Sequence, residues 1–318
     1  MRRRAFIFAS GCALLPRGAR SQHRAQVGFL HPGSAAVGSR IIAVREGLAS
    51  AGGTASNATI IPSLAEGRSE LLPRLAADLA ARSVDVICAV SPPAVTAALM
   101  NAPGTAVIAM DLESDPVANG WVNSLARPAG KLSGVFLDLP DFTAKCMQLL
   151  REGAPAVRRV AALWHPASGE VQKRAAQAAA SALGIELAII EVAQRSDFEG
   201  AFATARARSD GIFMLSSPLF GGYPEPLAQL ALKARMPAVN QFPDFAEAGG
   251  FLAYGPELQE LFRRTGSLIG KVLNGATVGD LPVERPTRFK LVVNLKTAAA
   301  LGLEVPASFL ARADEVIE

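Results

Sequence analysis

The residues best placed to do chemistry are few. Asp111, Glu113 and Asp115 stand at alternate positions just after an apolar run. Such a carboxylate cluster suits acid–base work, a divalent cation or the cationic group of a ligand. Asp115 precedes Pro116, so its side chain is also expected to cap a helix start. His165 precedes Pro166 and could serve as a general base, but no nucleophile or orienting carboxylate is predictable beside it. Ser91 opens Ser-Pro-Pro, and Ser216-Ser217 lead into Pro218. A hydroxyl at a helix start lies beside free amide N–H groups and a partial positive charge, which suits a carboxylate or phosphate. Each of these serines is equally an ordinary N-cap candidate, so their joint placement matters more than any one of them. No phosphate-binding loop, dinucleotide glycine motif or nucleophile elbow occurs. Three histidines cannot build a His-Glu-x-x-His zinc site. The expectation is therefore a protein that is not an enzyme and carries neither cofactor nor metal.

The elements that would position these residues form a repeated pattern. Val27–Leu30, Thr59–Ile61, Val84–Val90 and Ala106–Met110 are short apolar runs, separated by helix-like stretches of about ten residues. The pattern restarts with a helix over Phe142–Leu150 and a strand over Arg159–Trp164. It continues through strands at Ile185–Val192, Gly211–Leu215, Ala238–Asn240, Gly249–Tyr254 and Phe289–Asn294, with Leu258–Leu273 the longest helix. Gly184 is expected to close the Ala-rich helix before it. Continuous apolar strands alternating with helices imply parallel sheets covered on both faces. No long Gly/Ser linker divides the halves, so two lobes should meet at a cleft. In such sheets ligands bind at the carboxyl ends of the strands. That rule selects His31, Gly33, Ser34, Ser91 and 111–115 from the first half. From the second it selects Trp164, His165, Ser168, Ser216, Ser217 and 241–244.

Composition narrows the class. Of 318 residues 50% are apolar and 19% charged, too apolar for a disordered chain. No uncharged apolar run reaches the roughly 20 residues of a membrane-spanning helix. The formal charge is +4, yet five arginines and no acid lie in residues 1–21; beyond them 27 basic residues face 28 acidic ones, a net charge of −1. No basic stripe with interleaved aromatics remains, so nucleic acid is not an expected partner. Residues 1–21 read as an export signal: Arg2–Arg4, an uncharged stretch from Ala5 to Pro16, and small residues ahead of a cleavage after Ser21. Arg3-Arg4 allows a twin-arginine route, and Cys12 a lipid tether. Cys88 and Cys146, in apolar settings, are expected to be buried free thiols.

Several stretches carry a family resemblance: DLESDPVANGWVNSLARPAGKLSGVFLDLPDF at 111–142, EAGGFLAYGPELQELFRR at 247–264 and GDLPVERPTRFKLVVNLKTAAALGLEVPASFLARADEVIE at 279–318. With the basic start MRRRAFI they resemble the substrate-binding proteins of ABC transporters, in particular those of tryptophan/tyrosine-type importers. The resemblance implies an α/β protein of type I periplasmic-binding fold: two Rossmann-like lobes with parallel sheets, joined by a hinge. It implies a first lobe over 22–136 with part of 255–290, and a second over 137–254 with part of 285–318. It further implies a monomer in the periplasm that closes on a small-molecule solute, an amino acid or related carboxylate, and docks on the membrane permease of the transporter.

Carried onto this sequence, the resemblance has the first lobe gripping a carboxylate with Ser91 and the segment Met110, Asp111 and Glu113, with Ser34 on the first loop. In the second lobe Trp164 or His165 would be an aromatic lid, Ser217 a further contact, and Asp244 the partner of an ammonium group. A sensor of the same fold, acting on a membrane receptor, is the alternative.

Overall fold

The computed structural model describes residues 24–33, 37–137 and 139–318. The expected export signal, including Cys12 and the cleavage point at Ser21, lies outside the described residues, as does Ser34.

The first lobe is a five-stranded parallel sheet. Its strands are β1 (Gln26–His31), β2 (Thr59–Leu64), β3 (Val86–Val90), β4 (Ala106–Asp111) and β5 (Leu132–Phe136), in the spatial order β2-β1-β3-β4-β5. Helices α1 (Gly38–Ala51), α2 (Leu72–Ala81) and α3 (Pro92–Asn101) connect the first four strands. The chain then passes through α4 (Leu139–Gly153) into the second lobe. There β6 (Arg159–Trp164), α5 (Val171–Leu183), β7 (Glu186–Glu191), α6 (Phe198–Arg208) and β8 (Gly211–Met214) repeat the alternation. Two short helices, α7 (Pro218–Gly221) and α8 (Pro224–Lys233), lead to β9 (Ala238–Asn240). After α9 (Asp244–Glu247) and β10 (Leu252–Gly255), α10 (Leu258–Leu273) returns to the first lobe. The chain ends in the second with β11 (Lys290–Asn294), α11 (Leu295–Leu301), α12 (Ala307–Leu310) and β12 (Glu315–Ile317). The second sheet is ordered β12-β11-β10-β9-β8-β6-β7.

Strands β3 and β8 are buried at every position and carry no polar side chain, as cover on both faces requires; β5 is equally buried but is not apolar throughout. Gly184 closes α5 in the left-handed conformation that glycine adopts most readily, as its position in the sequence implies. Cys88 and Cys146 are buried thiols, and burial pushes the pKa of Cys88 up to about 12.

Three differences from the sequence reading are informative. Strand β5 carries Ser133 and Gly134 inside a five-residue run, too polar to stand out locally; the Ser133 hydroxyl is satisfied only by donating to Leu281 and Pro282 carbonyls 148 and 149 residues away. Asp115 does cap, accepting from Val117 and Ala118 N–H at 2.9 and 3.1 Å, but what it caps is a turn and not a helix. The second sheet is also mixed, since β10 and β11 pair antiparallel where the chain re-enters the lobe.

The chain crosses between lobes at β5 to α4, at β10 to α10, and ahead of β11. One aromatic residue from each crossing meets the others. Phe142 lies 5.7 Å from Tyr254 and 5.4 Å from Phe289, ring centre to ring centre, and Tyr254 lies 5.8 Å from Phe289. No helix among the described residues is long and apolar enough to cross a membrane.

Candidate ligand-binding site

The carboxyl ends of β1, β3, β4, β6, β8 and β9 converge between the lobes, and the polar residues at these ends are buried there, save His165 after β6, which is half-buried. Asp111 ends β4. Its Oδ1 accepts the Glu113 N–H at 2.9 Å, while its Oδ2 has no partner among the described residues. Glu113 reaches across the cleft, where its Oε1 accepts the Ser216 hydroxyl at 2.7 Å. Ser216 is held for that contact by buried Gln172 on α5, which accepts from its N–H at 2.7 Å and donates to its carbonyl at 2.9 Å. Burial pushes the Asp111 pKa up. Burial, followed by the Asp111 carboxylate, pushes that of Glu113 up. Two acids so close favour sharing a proton over carrying two charges.

Ser91 joins β3 to α3 with φ 78° and ψ 162°, a conformation that is strained for a residue with a Cβ. Its N–H donates to the Met110 carbonyl at 3.1 Å, which seats it beside the end of β4. Among the described residues the Ser91 hydroxyl is buried without a partner, as are the hydroxyl of Ser168 and both amide atoms of Gln241. Buried polar groups are nearly always paired, so a cluster of unpaired ones at converging strand ends marks a place that a polar ligand would complete.

Outside this cluster a cavity of about 320 Å³ opens between the lobes, bordered by His31, Arg40 and Arg68 on one side and His165, Leu219 and Tyr223 on the other. Arg40 is buried. Its Nη1 lies 2.7 Å from His31 Nε2, and its Nη2 donates across the cleft to the Gly221 carbonyl at 2.9 Å. His31 stacks on Phe29 at 5.8 Å, and burial, then Arg40, lower its pKa and keep the ring neutral.

The expected site residues thus fall into three groups. Ser91, Met110, Asp111 and Glu113 lie together at the buried strand ends, and His165 borders the cavity, half-buried, with its pKa lowered by burial. Trp164, Ser217 and Asp244 are placed otherwise. Alternation along β6 puts Trp164 with Val160 and Ala162 on the face packed against Ala176 and Ala180 of α5. The indole N–H donates to the Gly169 carbonyl at 2.9 Å, and Lys173 Nζ covers the ring at 4.2 Å. Ser217 accepts the Phe220 N–H as the N-cap of α7. Asp244 opens α9 and is exposed, acting on Arg40 only through space.

Arg40 and Gln172 are absent from the sequence-based selection. A sequence signal for Arg40 existed: it stands four and eight residues before Val44 and Leu48, on the stripe of α1 that is buried. Gln172 gave none, because its role depends on a loop 44 residues away.

Comparison with known proteins places the architecture. The structure overlays on that of an ABC domain in complex with L-Trp from Streptococcus pneumoniae, with a TM-score of 0.82 at 23% identity, covering 92% of this chain and 100% of that one. It overlays on the ligand-free, open structure of a substrate-binding protein with adhesive properties from Clostridium difficile with a TM-score of 0.62 at 21% identity, covering 92% and 99%. These neighbours share the type I periplasmic-binding fold. A tyrosine-binding protein of Clostridioides difficile is 23% identical over 69% of this chain, and the match spans only 64% of that relative's length. From residue 31 to residue 317 the chain matches the family model for ABC transporter substrate binding proteins, and it belongs to that family.

Proposed function

We propose that this protein captures a small solute, an amino acid or a related carboxylate, between its two lobes outside the cytoplasmic membrane and delivers it to the permease of an ABC importer. The observation that carries the reading is the group of buried polar atoms at converging strand ends, where Ser91, Asp111 and Gln241 each hold at least one atom without a partner among the described residues. The closer overlay on the L-Trp complex than on the ligand-free, open relative supports the view that the lobes are drawn together here.

The mechanism is closure of the lobes about the three crossings, with affinity set by contacts that exist only when the lobes meet. Glu113 to Ser216 and Arg40 to Gly221 are such contacts. Asp111 and Glu113 give the inner end a polarity opposite to the one the family resemblance suggests. Two carboxylates repel a third, and the Glu113 N–H is already taken by Asp111. The inner end therefore receives the ammonium group of the solute.

Native mass spectrometry of protein purified without refolding tests this reading. The expected result is a small cationic or zwitterionic molecule released on denaturation. Glu113→Gln should then weaken binding of that molecule by about tenfold or more, as loss of a charged hydrogen-bond partner does. An empty protein that is also indifferent to a thermal-shift panel of amino acids and aromatic acids would overturn the proposal.

A further inference from the structure

We infer that Arg40 receives an anionic group of the solute, so that the cleft recognises a dipolar molecule with its cation on Asp111 and Glu113 and its carboxylate on Arg40. The inference rests on the reading of the cleft given above and adds the second pole of the ligand.

Arg40 is a buried guanidinium on the wall of the cavity, 9% exposed, with no carboxylate within ion-pairing distance among the described residues. A buried charge that is not paired is costly, and natural proteins keep one where something pairs it. Of its five N–H groups, one is taken by the Gly221 carbonyl and another points at His31. Asp244 and Glu113 act on Arg40 only from a distance. The remaining charged groups bordering the cavity are Glu66, Arg68 and Arg195, all exposed; Arg195 lies over the Tyr223 ring at 4.8 Å.

The contact with His31 points the same way. The Gly33 N–H is directed at His31 Nδ1 at 2.8 Å, while Arg40 Nη1 is directed at Nε2. A neutral imidazole carries one N–H and can accept at only one nitrogen. One of the two contacts therefore sets a donor against a donor. An acceptor oxygen arriving at Arg40 would draw the guanidinium onto itself and remove the conflict. A planar fork of donors facing a cavity suits a carboxylate, which it can hold through two bonds.

Isothermal titration with three probes tests the assignment: L-tryptophan, tryptamine, which lacks the carboxylate, and indole-3-propionate, which lacks the ammonium group. Wild-type protein should bind L-tryptophan at least about tenfold more tightly than tryptamine. Arg40→Gln should abolish that preference, because loss of the closure contact with Gly221 weakens both ligands alike while loss of the anion contact weakens only L-tryptophan. Arg40→Lys, which keeps the charge without the fork, should fall between, and circular dichroism checks that both variants fold. A preference for the carboxylate that survives in Arg40→Gln overturns the inference.

Acetate alone provides an arm that does not depend on an amino acid being the solute. It should raise the melting temperature of the wild type and not that of Arg40→Gln. If none of the indole probes binds but the acetate effect is present and lost with Arg40, the anion site stands and the amino-acid reading fails. If acetate leaves the wild type unmoved, the anion site itself fails.

Discussion

The contact between α1 and α10 and the cleft between the lobes are both places where distant parts of the chain meet, and they are built on opposite rules. Along the helix pair, glycines let backbone touch backbone. A Cβ on Gly47 would fall 1.9 Å from the Arg263 carbonyl oxygen, and one on Gly266 would fall 2.1 Å from that of Val44. Arg263 adds an ion pair with Glu46 at 3.0 Å. In the cleft, side chains approach through polar groups, and several of those groups have no partner among the described residues. A seam packed to backbone contact has one geometry and no room for another. A polar seam with atoms left over gains by admitting a partner that completes it. Helix α10, though it follows strands of the second lobe in sequence, is structurally part of the first.

The largest effect should come from filling the tight seam. Gly266→Ala is expected to lower stability by about 3 kcal/mol, since the Val44 backbone cannot step aside. Solute affinity in the folded fraction should stay within about twofold. Calorimetry paired with titration reads both, and a variant that melts normally but no longer binds would break the distinction between the two regions.

The next effect belongs to the cleft. Burial raises the Asp111 pKa to about 6, and burial together with the Asp111 carboxylate raises that of Glu113 to about 8. A bound cation favours their charged forms, so binding expels a proton. Affinity for a cationic or zwitterionic solute should therefore rise by about tenfold as the pH goes from about 6 to about 8, then level off. For the stability of the fold the sign is reversed. Carboxylates raised in the folded state favour it most below their ordinary pKa, and that contribution fades as pH climbs from about 4 to about 8. A profile of affinity that falls with pH would show that the inner end receives an anion.

The smallest effect separates strain from binding at Ser91. Ser91→Gly should be more stable than Ser91→Ala by about 1 kcal/mol, because glycine relieves the positive φ that alanine retains. Both should weaken solute binding by a similar factor, about threefold to tenfold, since both remove the hydroxyl. Thermal melts and titrations of the pair distinguish the two contributions, and equal stabilities would mean that the backbone is not strained at this position.

The alternating apolar runs determined the two-lobed α/β architecture, because a strand buried on both faces and the helix that covers it leave their pattern in adjacent residues. The same local logic placed Ser91, Asp111 and Glu113 at strand ends, with Gly184 as a helix cap. It gave no weight to β5, whose Ser133 is satisfied from residues 281 and 282. Nor could it tell Ser216 from Ser217, adjacent hydroxyls of which one crosses the cleft and the other caps a helix. Trp164, Arg40 and Gln172 belong with these. Whether an indole faces the cleft or α5, and whether an arginine on a helix stripe meets core or cavity, depends on what the rest of the chain brings opposite. Sequence periodicity specifies which face of an element is covered; only the tertiary structure decides what covers it and whether every polar atom there finds a partner.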